Sequence, residues 1–430
     1  MGDQAGGPTD RRTENVERRS ADSPRRRLPI FAALRHRNFR LFFAGYVVSL
    51  VGVWMQRVAQ SWLVLDLTGS PFVLGLVVSL RGVPLLILAP IGGVVADRVD
   101  RRKVVGAILV IDGVVAGALA VLTFSGHIQV WHLMVASLVG GGSIALLAPA
   151  QQALTYDIVG REGFTNAVSL FFMAVNTTRI AGPAAGGVII ATVGAEGCFA
   201  LMALSWIGAG LVLTKIPRPS ASQPVGASSP WQNLKDGLRY VRGSHVLLLL
   251  LLSEVMADGF GFSGFTLLPV FARDVLDVGP EGLGLLVAAP GVGAVSAALV
   301  TGWLGYRLHR RRGRVLLGGI GIFGLMWVAF AASRSFPLSL AMLTLVGVGS
   351  TIFDTLEVTC LQSAVSDELR GRVMGLYVLG WSATNLGSLQ SGTLASYFGA
   401  PVAVALTGGI LLIYSGALAL FAPKVRDQEG

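Results

Sequence analysis

Apolar residues in this chain follow neither the 3.6-residue period of an amphipathic helix nor the alternation of a half-buried strand. They run on in blocks of about twenty from Leu41 almost to the C-terminus, divided by short polar or charged punctuation. Breaking the blocks at charged, Gly and Pro positions predicts twelve spans, over 41–65, 72–95, 104–124, 131–150, 166–191, 198–214, 245–269, 281–303, 314–333, 337–360, 372–395 and 401–422. The fold class is therefore all-α integral membrane. Composition agrees: 53% of the 430 residues are hydrophobic and 13% charged, about half the charged share of a soluble domain, and 56 glycines suit closely packed membrane helices.

Net charge is +10, and its distribution argues for membrane topology and against nucleic acid as a partner. Of 34 Lys and Arg, 29 fall in the N-terminal stretch, the even-to-odd loops (counting Arg314 and Arg372, the first residues of spans nine and eleven, with the loops) and the C-terminus, two (Arg273 and Arg334) in the opposite loops, and three inside spans. This bias predicts a multi-pass protein of the inner (cytoplasmic) membrane with both termini cytoplasmic. Residues up to about Arg27 read as a disordered tail, with no apolar run that would make them a cleaved signal. Cys198 and Cys360 fall at opposite membrane faces on this map, so no disulfide is expected, and two cysteines make no metal cluster.

The longest polar interruption, Lys215 to Ser244, holds four prolines and then the amphipathic stretch Trp231–Arg242, read as a linker ending in a helix on the cytoplasmic surface. It divides the chain in two. At a constant offset of 209, Pro71 matches Pro280, Gly75 matches Gly284, Gly93 matches Gly302, Arg98 matches Arg307, and Arg101-Arg102-Lys103 matches Arg310-Arg311-Arg312. The expected organisation is a tail (1–40), a six-helix half (41–214), the linker (215–244), a second six-helix half (245–422) and a short tail (423–430).

Two duplicated six-span halves are what the major facilitator superfamily has, and motifs make the resemblance specific. Gly93-Val-Val-Ala-Asp97-Arg98-Val-Asp100-Arg101-Arg102-Lys103 resembles that superfamily's loop signature between helices two and three, with Asp100 where Gly is usual. The copy from Gly302 to Arg312 has Tyr306 in place of the Asp, which assigns gating to the first copy. Leu67-Thr-Gly-Ser-Pro71, Asn166-Ala-Val-Ser-Leu170 and Leu369-Arg-Gly-Arg-Val-Met-Gly-Leu376 resemble the subgroup of enterobactin exporters, Tap-type drug pumps and macrolide efflux proteins. The resemblance covers about residues 30 to 423 and implies the major facilitator fold, two pseudo-symmetric halves working by alternating access.

It also implies site residues. Gly93, Asp97, Arg98, Arg101 and Arg102 form the gating motif, Asp97 facing the positive end of span eleven near Arg372 when the halves close, with the basic run as topology charges that also meet lipid head groups. In span five, Gly182-Pro183-Ala-Ala-Gly186-Gly187 resembles the antiporter motif, although Ser169 and Thr178 replace two upstream glycines; a kink with small-residue packing is the alternative reading.

Ionisable residues inside hydrocarbon are costly, so Arg57, Arg81, Asp112, Arg179, Glu254, Asp258, Asp354 and Glu357 are functional candidates by default. Glu254/Asp258 and Asp354/Glu357 are four and three apart, each pair on one helix face, and the resemblance places spans one, four, seven and ten around the cavity. Glu254, Asp258 and Asp354 are the proton-coupling candidates; Glu357 lies either with them or at the hydrated interface. Arg81 and Asp112 come within one helical turn in depth, as an ion pair or separately. Trp54, Gln56, Arg57, Phe260, Trp381 and Asn385 are candidates for lining the substrate cavity.

The function expected is a secondary active transporter, a proton-coupled exporter (antiporter) of amphipathic small molecules such as drugs or siderophores. The alternative is an importer or facilitator of a native metabolite. A membrane enzyme or sensor is a third class, but there is no phosphate-binding loop, no metal-ligand spacing and no nucleophile–base set, so no catalytic residue, metal or cofactor is assigned. The expected partners are the small-molecule substrate, protons and membrane lipids, acting on a functional monomer.

Overall fold

In the computed structural model, residues 31–216, 230–309 and 312–423 are described. All regular structure among them is helical. Span one is α1 (Arg37–Thr68), span three α4 (Arg101–Phe124) and span six α6 (Ala195–Thr214). The surface stretch is α7 (Pro230–Arg242), and spans eight, nine, ten and twelve are α9 (Gly279–His309), α10 (Arg312–Ala332), α11 (Phe336–Ala364) and α14 (Ala400–Phe421).

The other spans depart from simple rods. Span two is two helices, α2 (Pro71–Ser79) and α3 (Gly82–Arg98). Pro84 has no N–H to give the Leu80 carbonyl, and the axis breaks there. Span eleven breaks likewise at Trp381, between α12 (Asp367–Gly380) and α13 (Ser382–Phe398). Span seven starts as α8 (His245–Met256), passes through a π turn (Ala257–Gly261) and a 3₁₀ stretch (Phe262–Leu267), and ends in a second π turn (Phe271–Val275). Spans four and five are the two arms of α5 (Val130–Val193), hinged at Gly160, whose φ of 68° favours glycine. The polar stretch 151–165, expected as a loop, is thus helical, a correction to those span boundaries.

Helix ends follow local chemistry. The Ser70 side chain accepts the Val73 N–H at 3.4 Å with Pro71 in the first turn, and Asp100 accepts the Arg102 N–H at 3.1 Å. Within the first half, Gln60 Nε2 donates to the Leu133 carbonyl (3.0 Å) and Ser137 Oγ (2.8 Å), and Trp206 Nε1 donates to the Ser49 carbonyl (3.0 Å). Within the second, Ser415 donates to the Leu317 carbonyl (2.7 Å) and Ser253 meets Tyr414 (3.0 Å). Such bonds tie helices together where lipid gives no hydrophobic drive, about 0.6–2 kcal/mol each.

The halves meet along two seams, span two against eleven and span five against eight. A Cβ on Gly187 would lie 2.6 Å from the Pro280 carbonyl oxygen and 2.9 Å from Gly284 Cα; one on Gly392 would lie 2.5 Å from the Pro71 carbonyl oxygen and 2.9 Å from Gly75 Cα. The repeat residues Pro71, Gly75, Pro280 and Gly284 are therefore the contact points between halves, and the antiporter-like Pro183 and Gly187 are their partners in span five. Both seams lie toward the end of the bundle away from the arginine-rich loops, here termed the far end. Arg273 spans it, donating from Nη1 to the Leu65 carbonyl at 2.7 Å. The two cysteines are buried and unbridged.

Candidate functional site

In span seven the π turn carries Asp258 just before Gly259 and Gly261, two glycines that let other helices come close: Gly387 of span eleven sits against the Gly259 carbonyl, and Gly261 against Phe323. The turn places an irregular backbone where spans seven, nine and eleven meet. Glu254 packs on Gly380 and lies beside Glu357, Tyr377 and Trp381. Asp258 is within electrostatic reach of Glu254 and Asp354 and lies beside Thr384; Asp354 is within reach of Glu254 and Arg179. Four carboxylates thus form one cluster between spans seven, ten and eleven.

Their burial is uneven. Glu254 is 2%, Asp258 5% and Glu357 0% exposed, whereas Asp354 is half-buried. Both Glu357 oxygens and Asp258 Oδ2 are enclosed without a hydrogen-bond partner. Glu357 therefore joins the cluster and does not sit at a hydrated interface: α11 runs on to Ala364, and spans seven and eleven cover its face. Arg179 is the second addition to the site. Its placement depends on the span five to span eight seam, where Gly291 packs against Ile180, a long-range contact that one-dimensional spacing does not show.

On the opposite side, Arg57 lies over the Trp54 ring at 4.6 Å, and Trp54 packs on Gly182. Arg57 is exposed, although it stands in mid-span, and within electrostatic reach of Arg81 and Arg179. A Cβ on Gly140 would lie 3.6 Å from the Arg81 guanidinium, and one on Gly141 would collide with the Arg81 carbonyl, so the glycine run in span four is the slot that admits Arg81. Asp112, near Arg81, accepts the Ser143 hydroxyl at 2.6 Å. Of the other cavity candidates, Trp381 is 50% exposed beside Tyr377, and Asn385 reaches back to the Trp381 carbonyl (3.5 Å) opposite Gly82. Phe260 joins the apolar packing and Gln56 is buried.

At the arginine-rich end, Arg98 is exposed, Gly93 has open space around it, and the Asp97 side chain lies outside the described residues. Arg101 and Arg102 are not simply lipid-facing charges. Arg101 Nη1 binds both Asp157 oxygens at 2.8 Å, fixing the two–three loop to the end of span four, and Arg102 pairs with Asp100 (3.9 Å) and donates to the Ile216 carbonyl. Arg372 binds Asp236 of α7 at 3.2 Å, so the surface helix is docked on span eleven. Asn166, noted as part of a subgroup motif, accepts the Ala33 N–H at 2.9 Å and anchors the entry to span one.

A family model described as a transmembrane secretion effector matches residues 29–430. The enterobactin exporter EntS of Shigella flexneri is 30% identical over 404 residues, covering 90% of this chain and 91% of that protein. The staphyloferrin A transporter of Staphylococcus aureus is 26% identical over 371 residues, covering 84% and 90%. A crystal structure of a bacterial homologue of the human lysosomal transporter Spinster superposes with a TM-score of 0.73 at 13% identity, over 90% of this chain and 97% of that one, a likeness of fold alone. With its helical architecture, duplicated motifs and matched length, the chain belongs to the transmembrane secretion effector family of major facilitator superfamily transporters.

Proposed function

We propose that this transporter is a proton-coupled exporter of amphipathic small molecules, siderophores or drugs among them, working by alternating access in the cytoplasmic membrane with both termini cytoplasmic. The observation that carries the reading is the carboxylate cluster. Glu254, Asp258 and Glu357 crowd together with no cation beside them among the described residues, and the two enclosed Glu357 oxygens have the Glu254 carboxyl group as their polar neighbour. An ionised carboxylate so placed costs several kcal/mol, whereas a protonated one is tolerated, so a proton bound here and released when the cavity opens to the other side couples occupancy to access. The bias of basic residues puts the arginine-rich end in the cytoplasm, and the closed far end then corresponds to an inward-facing state. The named activities of EntS and the staphyloferrin A transporter support a siderophore-sized solute.

The test is purified protein in liposomes enclosing a pH dye, with a proton gradient imposed and cationic, neutral and anionic amphipathic compounds added. Substrate-dependent proton flux is expected in wild type. Glu357→Gln, close in shape but unable to ionise, is expected to abolish that flux while the protein remains folded. Substrate movement indifferent to the gradient in wild type would replace proton coupling with facilitated passage.

A further inference from the structure

The geometry points to Arg57 as an anion-binding point in the cavity, and we infer that the transported molecule presents a carboxylate or a comparable planar anion to it. The inference rests on the transport reading, because it names the charge of the molecule moved.

Position and surroundings put Arg57 in the interior. It lies eleven residues before the end of α1 at Thr68, about 16 Å along the helix from the far end and so near mid-membrane. An exposed guanidinium at that depth faces either lipid or an aqueous cavity. Trp54, under its face, packs on Gly182 of span five, and Arg81 of span two and Arg179 of span five are its charged neighbours, so it points inward.

Charge balance identifies it among the three arginines. Arg81 has Asp112 as a neighbour and Arg179 has Asp354. Among the described residues no carboxylate lies within ion-pair distance of Arg57, and none of its N–H groups donates a hydrogen bond. Its guanidinium carbon lies over the Trp54 ring at 4.6 Å, a cation–π contact that uses none of its N–H donors in a hydrogen bond. The guanidinium edge is a planar fork matched to a carboxylate, which it binds bidentately, and the adjoining indole suits an aromatic or apolar body on the same molecule. Glu254, Asp258 and Glu357 stand together on the second half, with acidic and neutral side chains as their neighbours among the described residues. The cavity is therefore divided: an anion subsite on the first half and a proton-bearing cluster on the second.

The test measures saturable binding of three ligands sharing a pyrene body, pyrenebutyrate (anion), its primary amide (neutral) and pyrenebutylamine (cation), to full-length protein in lipid nanodiscs, with empty nanodiscs subtracted. Wild type is expected to bind the carboxylate about tenfold or more tighter than the amide, the scale of one charge-assisted pair. Arg57→Gln is expected to erase the preference, and Arg57→Lys, which keeps the charge and loses the fork, to leave a few-fold remnant. Should Arg57→Gln fail to fold, the drop in preference in Arg57→Lys decides the matter. Equal or reversed preference in wild type, a preference that survives Arg57→Gln, or no saturable binding of any of the three overturns the inference. Failure of the two readings is distinguishable: carboxylate preference without proton flux in liposomes removes proton coupling and leaves the anion subsite, whereas proton exchange driven by cations alone removes the subsite and leaves proton coupling.

Discussion

Gly284→Ala tests how the far end stays closed. A methyl group there would lie 2.6 Å from the Pro183 carbonyl oxygen and 3.0 Å from Gly187 Cα, where ordinary contact begins near 3.4 Å. The span five to span eight seam must part by about 0.8 Å to admit it, between two backbones that cannot rotate away. Overpacking of this kind costs about 1–3 kcal/mol. The helix-propensity gain of Ala over Gly is common to both end states and cancels, so the whole cost falls on the far-end-closed state. At about 2 kcal/mol the open population rises roughly thirtyfold relative to closed. The assay is electron–electron spin distance between labels at Asp66→Cys and Asp277→Cys, which lie on different halves at the far end and are both exposed, with Cys198 and Cys360 replaced by Ser. Gly284→Ala is expected to move weight to the longer distances. Gly208→Ala, at a position with nothing within 4 Å, supplies the same propensity change without the clash and is expected to match the parent. An unchanged distribution in Gly284→Ala would refute the idea that glycine contact holds the seam.

The other predictions concern the two ends. Arg273→Gln removes the bond to the Leu65 carbonyl; Arg273 is partly exposed, so the loss is about 1 kcal/mol, and the same label pair should report a several-fold rise in the open population. At the arginine-rich end, Gly237 approaches the Arg372 backbone at 3.2 Å from a would-be Cβ, so Gly237→Val should lift α7 from span eleven and speed tryptic cleavage at Lys235 and Arg239, read by mass spectrometry. Asp236→Asn removes a partly exposed ion pair worth about 0–1 kcal/mol and should change that rate little.

The fold was legible because the bilayer leaves a strong one-dimensional record: apolar blocks of membrane-spanning length, and basic residues in alternate loops. Other features were recorded less directly. The stretch containing Asp157, Arg161 and Glu162 is polar and was expected as a loop, yet polarity there marks departure from the hydrocarbon and does not end a helix; only Gly160, with its left-handed backbone, breaks it. Pro71, Gly75, Pro280 and Gly284 were visible as a repeat without a reason for it. The reason is contact between halves more than a hundred residues apart, which no local period encodes.

The candidate site shows the same division. Glu254, Asp258 and Asp354 stood out because charge within an apolar block is rare, and the structure brings them together. Glu357 was equally visible, but its depth could not be read from a span end uncertain by several residues; its enclosure comes from neighbours on other spans. The Gly140-Gly-Gly142 run gained meaning only with Arg81 seated on it. What no single motif announces is the division of charge: Arg57, Arg81 and Arg179 all come from the first half and the four clustered carboxylates all from the second. If the halves rock against each other during transport, the distance between these opposed charges changes with every cycle. On the proposed function, a proton bound on the second half or an anion on the first would alter the attraction between them, so that both would act on the same closure equilibrium and their coupling would require no contact between proton and substrate.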